Sequence, residues 1–222
     1  MTSNLWQTNA VAIRAGEEAM LIDSPYFPDE LEMLPEVLRQ SGFEPLGLIA
    51  THADWDHLLG RLAFPDASLG IAESSARRIR SEPGVAQKEL RDADNHYYVK
   101  RARPLSLGSY QPLPVPGKLD LADQEIELHP GEGHTADGMI LFARWCGVLV
   151  CGDYLSDVEL PTWADKQLYR ATLERLRGLV ADADVVVPGH GSPMTGETAK
   201  RVLEEDVAYL DAGTKPPGRF ES

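Results

Sequence analysis

Four histidines and three aspartates of this chain stand in short motifs whose side chains can bind metal ions. The densest motif is THADWDH at residues 51–57, which follows the apolar run of residues 46–50, and the later motifs are GEGHT, VCGD and PGHG. The seven candidate ligands are His52, Asp54, Asp56, His57, His134, Asp153 and His190. Imidazoles and carboxylates gathered at strand ends are the groups that a two-metal hydrolytic site requires.

The spacing inside the first motif suits two neighbouring metal positions. His52 and Asp54 are two residues apart, so both side chains can reach one metal ion from an extended segment. Asp56 and His57 come where the chain is expected to turn into a helix, and they can face a second position.

Hydrophobic patterns predict the elements that must position these motifs. Strands are predicted twice within residues 5–23, around a turn at 16–18, and then at 46–50, 125–128, 139–143, 148–151 and 185–187, with a further strand and helix within 68–80. Helices are predicted at 28–40, at 56–64, at 166–181 with Leu168, Leu176 and Leu179 on related faces, and from a cap at Thr195 to residue 209.

Residues 81–118 have a different composition, with five prolines and three tyrosines. We predict an irregular insertion that forms a lid or wall over the site, and the alternative is a plain surface excursion. Within it, Tyr97 and Tyr98 offer flat apolar surface, and Lys100, Arg101 and Arg103 could hold a carboxylate or phosphate of the substrate. The alternative is that these charges are solvated or pair with nearby acids.

The composition narrows the range of partners. The chain has 222 residues and a formal net charge of −14, which disfavours nucleic acid and anionic membranes as partners. Two cysteines give no disulfide framework, and neither a secretory signal nor a membrane span is visible. We therefore expect a cytoplasmic protein that acts on a small molecule, and the sequence leaves its oligomeric state open.

The motifs resemble those of the metallo-β-lactamase-fold superfamily, whose usual first motif is H-x-H-x-D-H. His52, Asp56 and His57 match that motif, whereas Asp54 stands where the superfamily normally has histidine. The later motifs match in residue type, order and context. The resemblance implies an α/β fold of the four-layer αβ/βα sandwich type, formed by residues 1–222 as a single domain.

The resemblance also implies a role for each ligand. The first metal would be held by His52, Asp54 and His134, and the second by Asp56, His57 and His190, with Asp153 bridging the two. A hydroxide between the metals would be the nucleophile, Asp56 could orient it, and Thr51 and Thr135 could orient the ligands. Tyr154, directly after Asp153, could donate a hydrogen bond to a substrate oxyanion.

Asp54 bears on the identity of the two divalent metal ions. A carboxylate adds a negative charge and a harder ligand atom than imidazole, which shifts the preference from zinc toward iron or manganese. Flavodiiron proteins resemble H-x-E-x-D-H at this position, and some DNA-uptake nuclease domains resemble H-x-D-x-D-H. Asp54 is therefore expected to be a ligand, and the alternative is that it hydrogen-bonds a water or a neighbouring ligand.

These observations favour a metal-dependent hydrolase with two zinc ions and a small ester, thioester or lactone as substrate. The alternatives are an iron-containing redox protein of the oxygen reductase or sulfur dioxygenase type, a phosphodiesterase or nuclease, and a non-catalytic binding module. Asp54 is the best support for the redox alternative. The net charge of −14 opposes a nuclease, and the nearly intact ligand set opposes a binding module.

Overall fold

Two β-sheets lie face to face, and helices cover the outer face of each. The computed structural model describes residues 1–213 and 215–220. Buried apolar side chains of the described residues form three clusters, one between the sheets and one between each sheet and its helices. The four-layer αβ/βα sandwich implied by the resemblance is therefore confirmed.

The first sheet contains five strands whose spatial order follows the chain. They are β1 (Val11–Ala15), β2 (Glu18–Ile22), β3 (Pro45–Ala50), β4 (Ser68–Ala72) and β5 (Gln111–Leu113). Its helices are α1 (Pro28–Gln40), α2 (Gly60–Ala63), α3 (Glu73–Ser81) and α4 (Val85–His96). Strands β1 and β2 pair antiparallel, and every later pair in this sheet is parallel. Helix α1 spans the predicted residues and buries Leu31, Leu34 and Leu38.

The second sheet contains six strands in the order β11-β10-β9-β8-β7-β6. They are β6 (Gly117–Leu121), β7 (Gln124–Pro130), β8 (Met139–Ala143), β9 (Val148–Val150), β10 (Val185–Val187) and β11 (Met194–Thr195). Helices α5 (Lys166–Ala181) and α6 (Gly196–Ala212) pack on its outer face. Among the described residues, no helix combines the length and the apolar character needed to cross a membrane.

Strand β8 packs against apolar side chains on both faces of the second sheet. Ile140 and Phe142 belong to the cluster under α5 and α6, whereas Met139 and Leu141 belong to the cluster between the sheets. Successive side chains of a strand point to opposite faces, so a strand covered on both sides is apolar throughout.

Two predictions about local structure were wrong. Residues 85–96, within the segment predicted to be irregular, form helix α4. The helix carries mostly polar side chains and fully buries only Leu90, so its periodicity is weak. The single helix predicted at 56–64 is instead a 3₁₀ turn, Trp55–His57, followed by the short helix α2.

The carboxyl ends of β7, β9 and β10 lie at one edge of the second sheet. Strand β8 pairs antiparallel with both β7 and β9, and β9 pairs parallel with β10, so these three strands run in the same direction. The carboxyl end of β3 meets this edge, because the amide of Met139 donates to the carbonyl of Thr51 over 2.8 Å. All four ligand motifs follow these strand ends, which brings them to one place.

Helix α5 offers a matched test of the core. Leu176 is fully buried, whereas Leu168, predicted to share its apolar face, is 46% exposed. We expect Leu176→Ala to lower the free energy of unfolding by about 2–5 kcal/mol, because it leaves a cavity. Leu168→Ala is expected to cost less than about 1 kcal/mol. Chemical denaturation measures both, and equal losses would contradict the described packing of α5.

Candidate metal centre

All seven predicted ligands lie in one cluster at the shared edge of the two sheets. Three overlapping sets of side chains have potential ligand atoms within 4.8 Å of one another. The sets are His52 with Asp54 and His134, Asp56 with His57 and His190, and His52 with His57 and Asp153. The first two sets are the two groups that the resemblance implied.

Asp153 is the centre of the cluster. Its carboxylate oxygens lie 3.1, 3.2, 3.5 and 3.6 Å from the Nε2 atoms of His57, His134, His190 and His52. Ligand atoms around one tetrahedral zinc ion are separated by roughly 3.3 Å, given metal–ligand bonds of about 2.0–2.1 Å. The spacing in the cluster therefore fits ligands that share metal ions.

The other two carboxylates each lie beside a different pair of imidazoles. The Oδ2 atom of Asp54 lies 3.5 Å from Nε2 of His52 and 3.7 Å from Nε2 of His134. The Oδ2 atom of Asp56 lies 3.2 Å from Nε2 of His190. Each carboxylate thus accompanies the imidazoles of its own group.

The imidazoles of the first motif are anchored through Nδ1. His57 donates from Nδ1 to Oδ2 of Asp23 over 3.0 Å. Thr51 donates its hydroxyl to the same Asp23 oxygen, and its Oγ1 lies 3.1 Å from Nδ1 of His52, where it can accept. These acceptors place the proton on Nδ1, which leaves the Nε2 lone pair free to face the cluster.

Backbone carbonyls anchor the other two imidazoles. Nδ1 of His134 lies 3.2 Å from the carbonyl oxygen of Thr162, and Nδ1 of His190 lies 3.1 Å from the carbonyl oxygen of Trp6. The Thr8 hydroxyl also lies 3.4 Å from Nδ1 of His190. All four imidazoles therefore present Nε2 to the same interior space.

Several buried atoms of the cluster lack hydrogen bonds. Nε2 of His52, Nε2 of His57 and Oδ1 of Asp153 have no hydrogen-bond partner among the described residues. The 3.1 Å approach of His57 to Asp153 is close but too poorly aligned for a hydrogen bond. Unpaired buried polar groups are costly, and a metal ion between them would satisfy them. The residues present therefore fit two divalent cations.

The electrostatics of the cluster favour bound positive charge. Burial opposes protonation of His134, yet the carboxylates of Asp153 and Asp54 raise its pKa to about 10. Burial also opposes ionisation of Asp153, but the surrounding imidazoles hold the pKa of its carboxyl well below the usual range. Divalent cations at Nε2 would supply this positive charge in place of protons.

The outer oxygen of Asp54 contacts an arginine from helix α3. Nη1 of Arg78 forms an ion pair with Oδ1 of Asp54 at 2.6 Å, without the alignment of a hydrogen bond, and donates to Oδ1 of Asp137 over 2.9 Å. Burial opposes ionisation of Asp54, yet the neighbouring imidazoles and Arg78 hold the pKa of its carboxyl well below the usual range. Asp54 is therefore an ionised carboxylate with one oxygen toward the cluster.

Gly189 permits the close approach of two loops. A Cβ atom at this position would lie 2.2 Å from Oδ1 of Asp153 and 2.9 Å from Cε1 of His57. The backbone of the loop that carries His190 is thus in contact with the centre of the cluster, and a larger residue would displace Asp153.

Tyr97 and Tyr98 occupy different places, although we predicted both for the pocket wall. Tyr97 packs edge-on against Trp6 with ring centroids 5.4 Å apart, and Trp6 packs against Trp55 at 5.5 Å. Trp55 stands between two candidate ligands in the chain, and the Trp6 carbonyl accepts from His190. Tyr97 therefore belongs to an aromatic surface beside the cluster, whereas Tyr98 is 92% exposed.

Two of the three basic residues predicted to hold a substrate anion are engaged in the fold. Arg101 is buried, pairs with Asp94 at 2.8 Å and donates to the Tyr26 carbonyl. Arg103 donates to the carbonyl of Leu62. The prediction of an anion site at these side chains therefore fails for Arg101, whose charge is already paired in a buried position.

Tyr154 and Thr135 also differ from their predicted roles. The Tyr154 hydroxyl is buried, donates to the carbonyl of Glu132 and accepts from the amide of His134. The hydroxyl thus holds the backbone of the loop at Glu132 and His134 in place and does not face a substrate. Thr135 donates its hydroxyl to the carbonyl of Asp137 rather than to a candidate ligand.

Asp23 and Arg78 contact the candidate ligands and were absent from the sequence prediction. Asp23 ends a strand that runs parallel to β3, so the strand pattern contained a signal for it. Arg78 stands within the polar helix α3 and carries no such signal, because only the tertiary fold brings it to Asp54.

Comparisons with known proteins identify the family to which the chain is similar. The family model described as the metallo-beta-lactamase superfamily matches residues 3–190. Acyl-coenzyme A thioesterase MBLAC2 of Gallus gallus is 25% identical over 234 residues, which cover 93% of this chain and 78% of that protein. The Homo sapiens protein of the same name is 26% identical over 233 residues, with 93% and 79% covered.

Solved structures agree with the family match. A metallo-beta-lactamase family protein from Thermus thermophilus superposes with a TM-score of 0.71 at 21% identity, covering 94% of this chain and 76% of that one. A protein solved in a di-iron-bound form superposes with a TM-score of 0.67 at 24% identity, covering 91% and 96%. At 21% and 24% identity, these two superpositions show a shared fold and nothing further.

Asp23→Asn tests the anchoring of His57. The variant keeps the shape of the side chain but removes the charge that accepts from Nδ1, so we expect metal affinity to fall about 10–100-fold. Metal content after equilibration with a chelator measures this, and Asp29→Asn at an exposed position is the control. Unchanged metal retention in Asp23→Asn would contradict the anchoring role.

Proposed function

Because the chain belongs to the metallo-beta-lactamase superfamily, we propose that it is a metal-dependent hydrolase of acyl thioesters or closely related esters. The family and the thioesterase relatives support a metal-dependent hydrolase. The observation that carries the proposal is the pair of ligand groups joined by Asp153, with four Nε2 atoms turned toward it.

The proposed ligands follow the two groups. The first cation would be held by His52, Asp54 and His134, the second by Asp56, His57 and His190, and both by Asp153. Zinc suits three or four imidazole and carboxylate ligands at this spacing. When bound, two divalent cations supply Lewis acidity and lower the pKa of water toward neutrality.

Asp56 is the proposed catalytic residue. Its carboxylate lies beside the imidazoles of His57 and His190, and the side chain is almost fully buried. A carboxylate there can accept a hydrogen bond from the attacking water and hold it facing the substrate carbonyl.

The surroundings of the cluster support a substrate with an apolar part. The aromatic surface of Trp6, Trp55 and Tyr97 lies beside the ligands. A cavity of about 370 Å³ is lined by Ala53 and by residues of the predicted wall such as Leu105, and by none of the seven candidate ligands. The two cavities that His134 and Asp153 line have volumes of about 10 and 20 Å³. Pockets of about 300–1,000 Å³ hold small-molecule ligands.

The thioester class comes from the relatives. Proteins of chicken, cattle and human that are 25–26% identical over 93% of this chain are named acyl-coenzyme A thioesterases. A thioester carbonyl is attacked by water in the same way as an ester carbonyl, so the proposed ligands suit both. Assays with a series of acyl thioesters and the matching oxygen esters would rank the two classes.

One observation favours a second function, an iron-containing redox protein. Asp54 supplies a hard oxygen ligand where the superfamily usually has imidazole, and this favours iron or manganese over zinc. Metal content of protein expressed without added metal distinguishes the two functions. About two equivalents of zinc support the hydrolase, whereas iron with visible absorbance supports the redox protein.

His57→Ala and Asp153→Ala test the hydrolase proposal. Asp153→Ala removes the ligand shared by both groups and His57→Ala removes a ligand of the second group, so we expect hydrolysis to fall by several orders of magnitude while the far-UV circular dichroism stays unchanged. His129→Ala, which removes a histidine outside the cluster, should keep full activity. Activity retained in either ligand variant would show that the cluster does not perform the reaction.

Tyr97 and Tyr98 form a matched pair for the substrate wall. Tyr97→Ala removes part of the aromatic surface beside the cluster, so we expect KM for an acyl substrate to rise about tenfold, which is within the range for loss of an aromatic contact. Tyr98→Ala changes a solvent-exposed side chain and should leave KM unchanged. The same change in both variants, or none in either, would contradict a wall at Tyr97.

A further inference from the structure

The two carboxylate oxygens of Asp54 have different environments. Oδ2 faces the cluster, 3.5 Å from Nε2 of His52 and 3.7 Å from Nε2 of His134. Oδ1 faces away and lies 2.6 Å from Nη1 of Arg78. A histidine at this position would have no outer oxygen to bind a cation, so the contact belongs to the aspartate that this chain has in its place.

Arg78 is held in this position from its other side. The same Nη1 lies 2.9 Å from Oδ1 of Asp137, a side chain with no exposed surface. Oδ2 of Asp137 in turn accepts from the amide of Ala53 over 2.9 Å. The contacts close a ring from Ala53 through Asp137 and Arg78 to Asp54, and this ring fixes both the guanidinium and the carboxylate.

The charges in this ring point to a specific function for Arg78. Replacing imidazole by carboxylate adds one negative charge to the first ligand group, and a guanidinium carries one permanent positive charge. We infer that Arg78, although it is shared with Asp137, offsets part of the added charge of Asp54, so that Asp54 acts on the first metal as a less anionic ligand than an unpaired carboxylate. The inference rests on the proposed metal ligation by Asp54.

Arg78 is therefore a positioning and charge-balancing residue rather than a catalytic one. Its guanidinium withdraws negative charge from the oxygen that faces the metal, which makes the first site less selective for hard cations. Loss of Arg78 should then favour manganese over zinc, and replacement of Asp54 by histidine should favour zinc over manganese.

A support role through Asp137 alone makes a different prediction. In that case loss of Arg78 would disturb the loop at Ala53 to the same extent whichever residue stands at position 54. The charge-balancing role instead requires the aspartate, because a histidine has no added negative charge to offset. The two roles are separated by combining changes at both positions.

The experiment compares four proteins: the wild type, Arg78→Gln, Asp54→His and the double variant. Each protein is equilibrated with equal free concentrations of zinc and manganese in a metal buffer. The ratio of bound zinc to bound manganese is then measured by elemental mass spectrometry. We expect Arg78→Gln to lower the zinc-to-manganese ratio about tenfold and Asp54→His to raise it about tenfold. In the Asp54→His background, Arg78→Gln should change the ratio less than about twofold.

An equal shift in both backgrounds, or no shift in Arg78→Gln, would overturn the inference. If Arg78→Gln does not fold, Arg78→Lys keeps the charge and should leave the wild-type ratio within about twofold; a larger shift would show that the guanidinium geometry, not the charge, matters. A wild type that binds no metal would refute the proposed function itself, whereas a metal-bound, active wild type with an unresponsive Arg78→Gln refutes only this inference.

Discussion

The contact of one carboxylate with four imidazoles is the constraint on which the site depends. Asp153 follows β9 in the second sheet, and its oxygens approach Nε2 of two histidines from the first sheet and two from the second. Placing that carboxylate requires the loop glycine Gly189, whose missing side chain leaves room for it. The packing of the two sheets therefore determines the spacing of the ligands.

A buried group of three carboxylates and four imidazoles is unstable unless its outer atoms are held. Each Nδ1 atom has an acceptor, and the outer oxygen of Asp54 has a guanidinium. Nε2 of His52, Nε2 of His57 and Oδ1 of Asp153 are left without hydrogen bonds. Cations bound between them would connect ligands from both sheets, so metal binding and the stability of the sandwich should be coupled.

Short apolar runs predicted most of the strands, and the motifs that follow them, through their resemblance to the superfamily, implied the sandwich and the seven clustered residues. Prediction failed where the signal is tertiary. Helix α4 buries only Leu90, so its pattern resembles a loop. Arg78 reaches Asp54 only through the folded position of α3. Arg101 pairs with Asp94, seven residues earlier in the chain, as the alternative of pairing with nearby acids predicted. Asp23 was accessible in principle, since it ends a strand beside β3.

The anchors of the imidazoles differ in how much sequence change they tolerate. His134 and His190 are held by backbone carbonyls, which every amino acid provides, so residues 162 and 6 can vary without loss of the anchor. His52 and His57 depend on the side chains of Thr51 and Asp23, which few substitutions can replace. Substitutions around His134 and His190 should therefore displace the ligands less than substitutions of Thr51 or Asp23, because a main-chain acceptor remains whichever side chain is present.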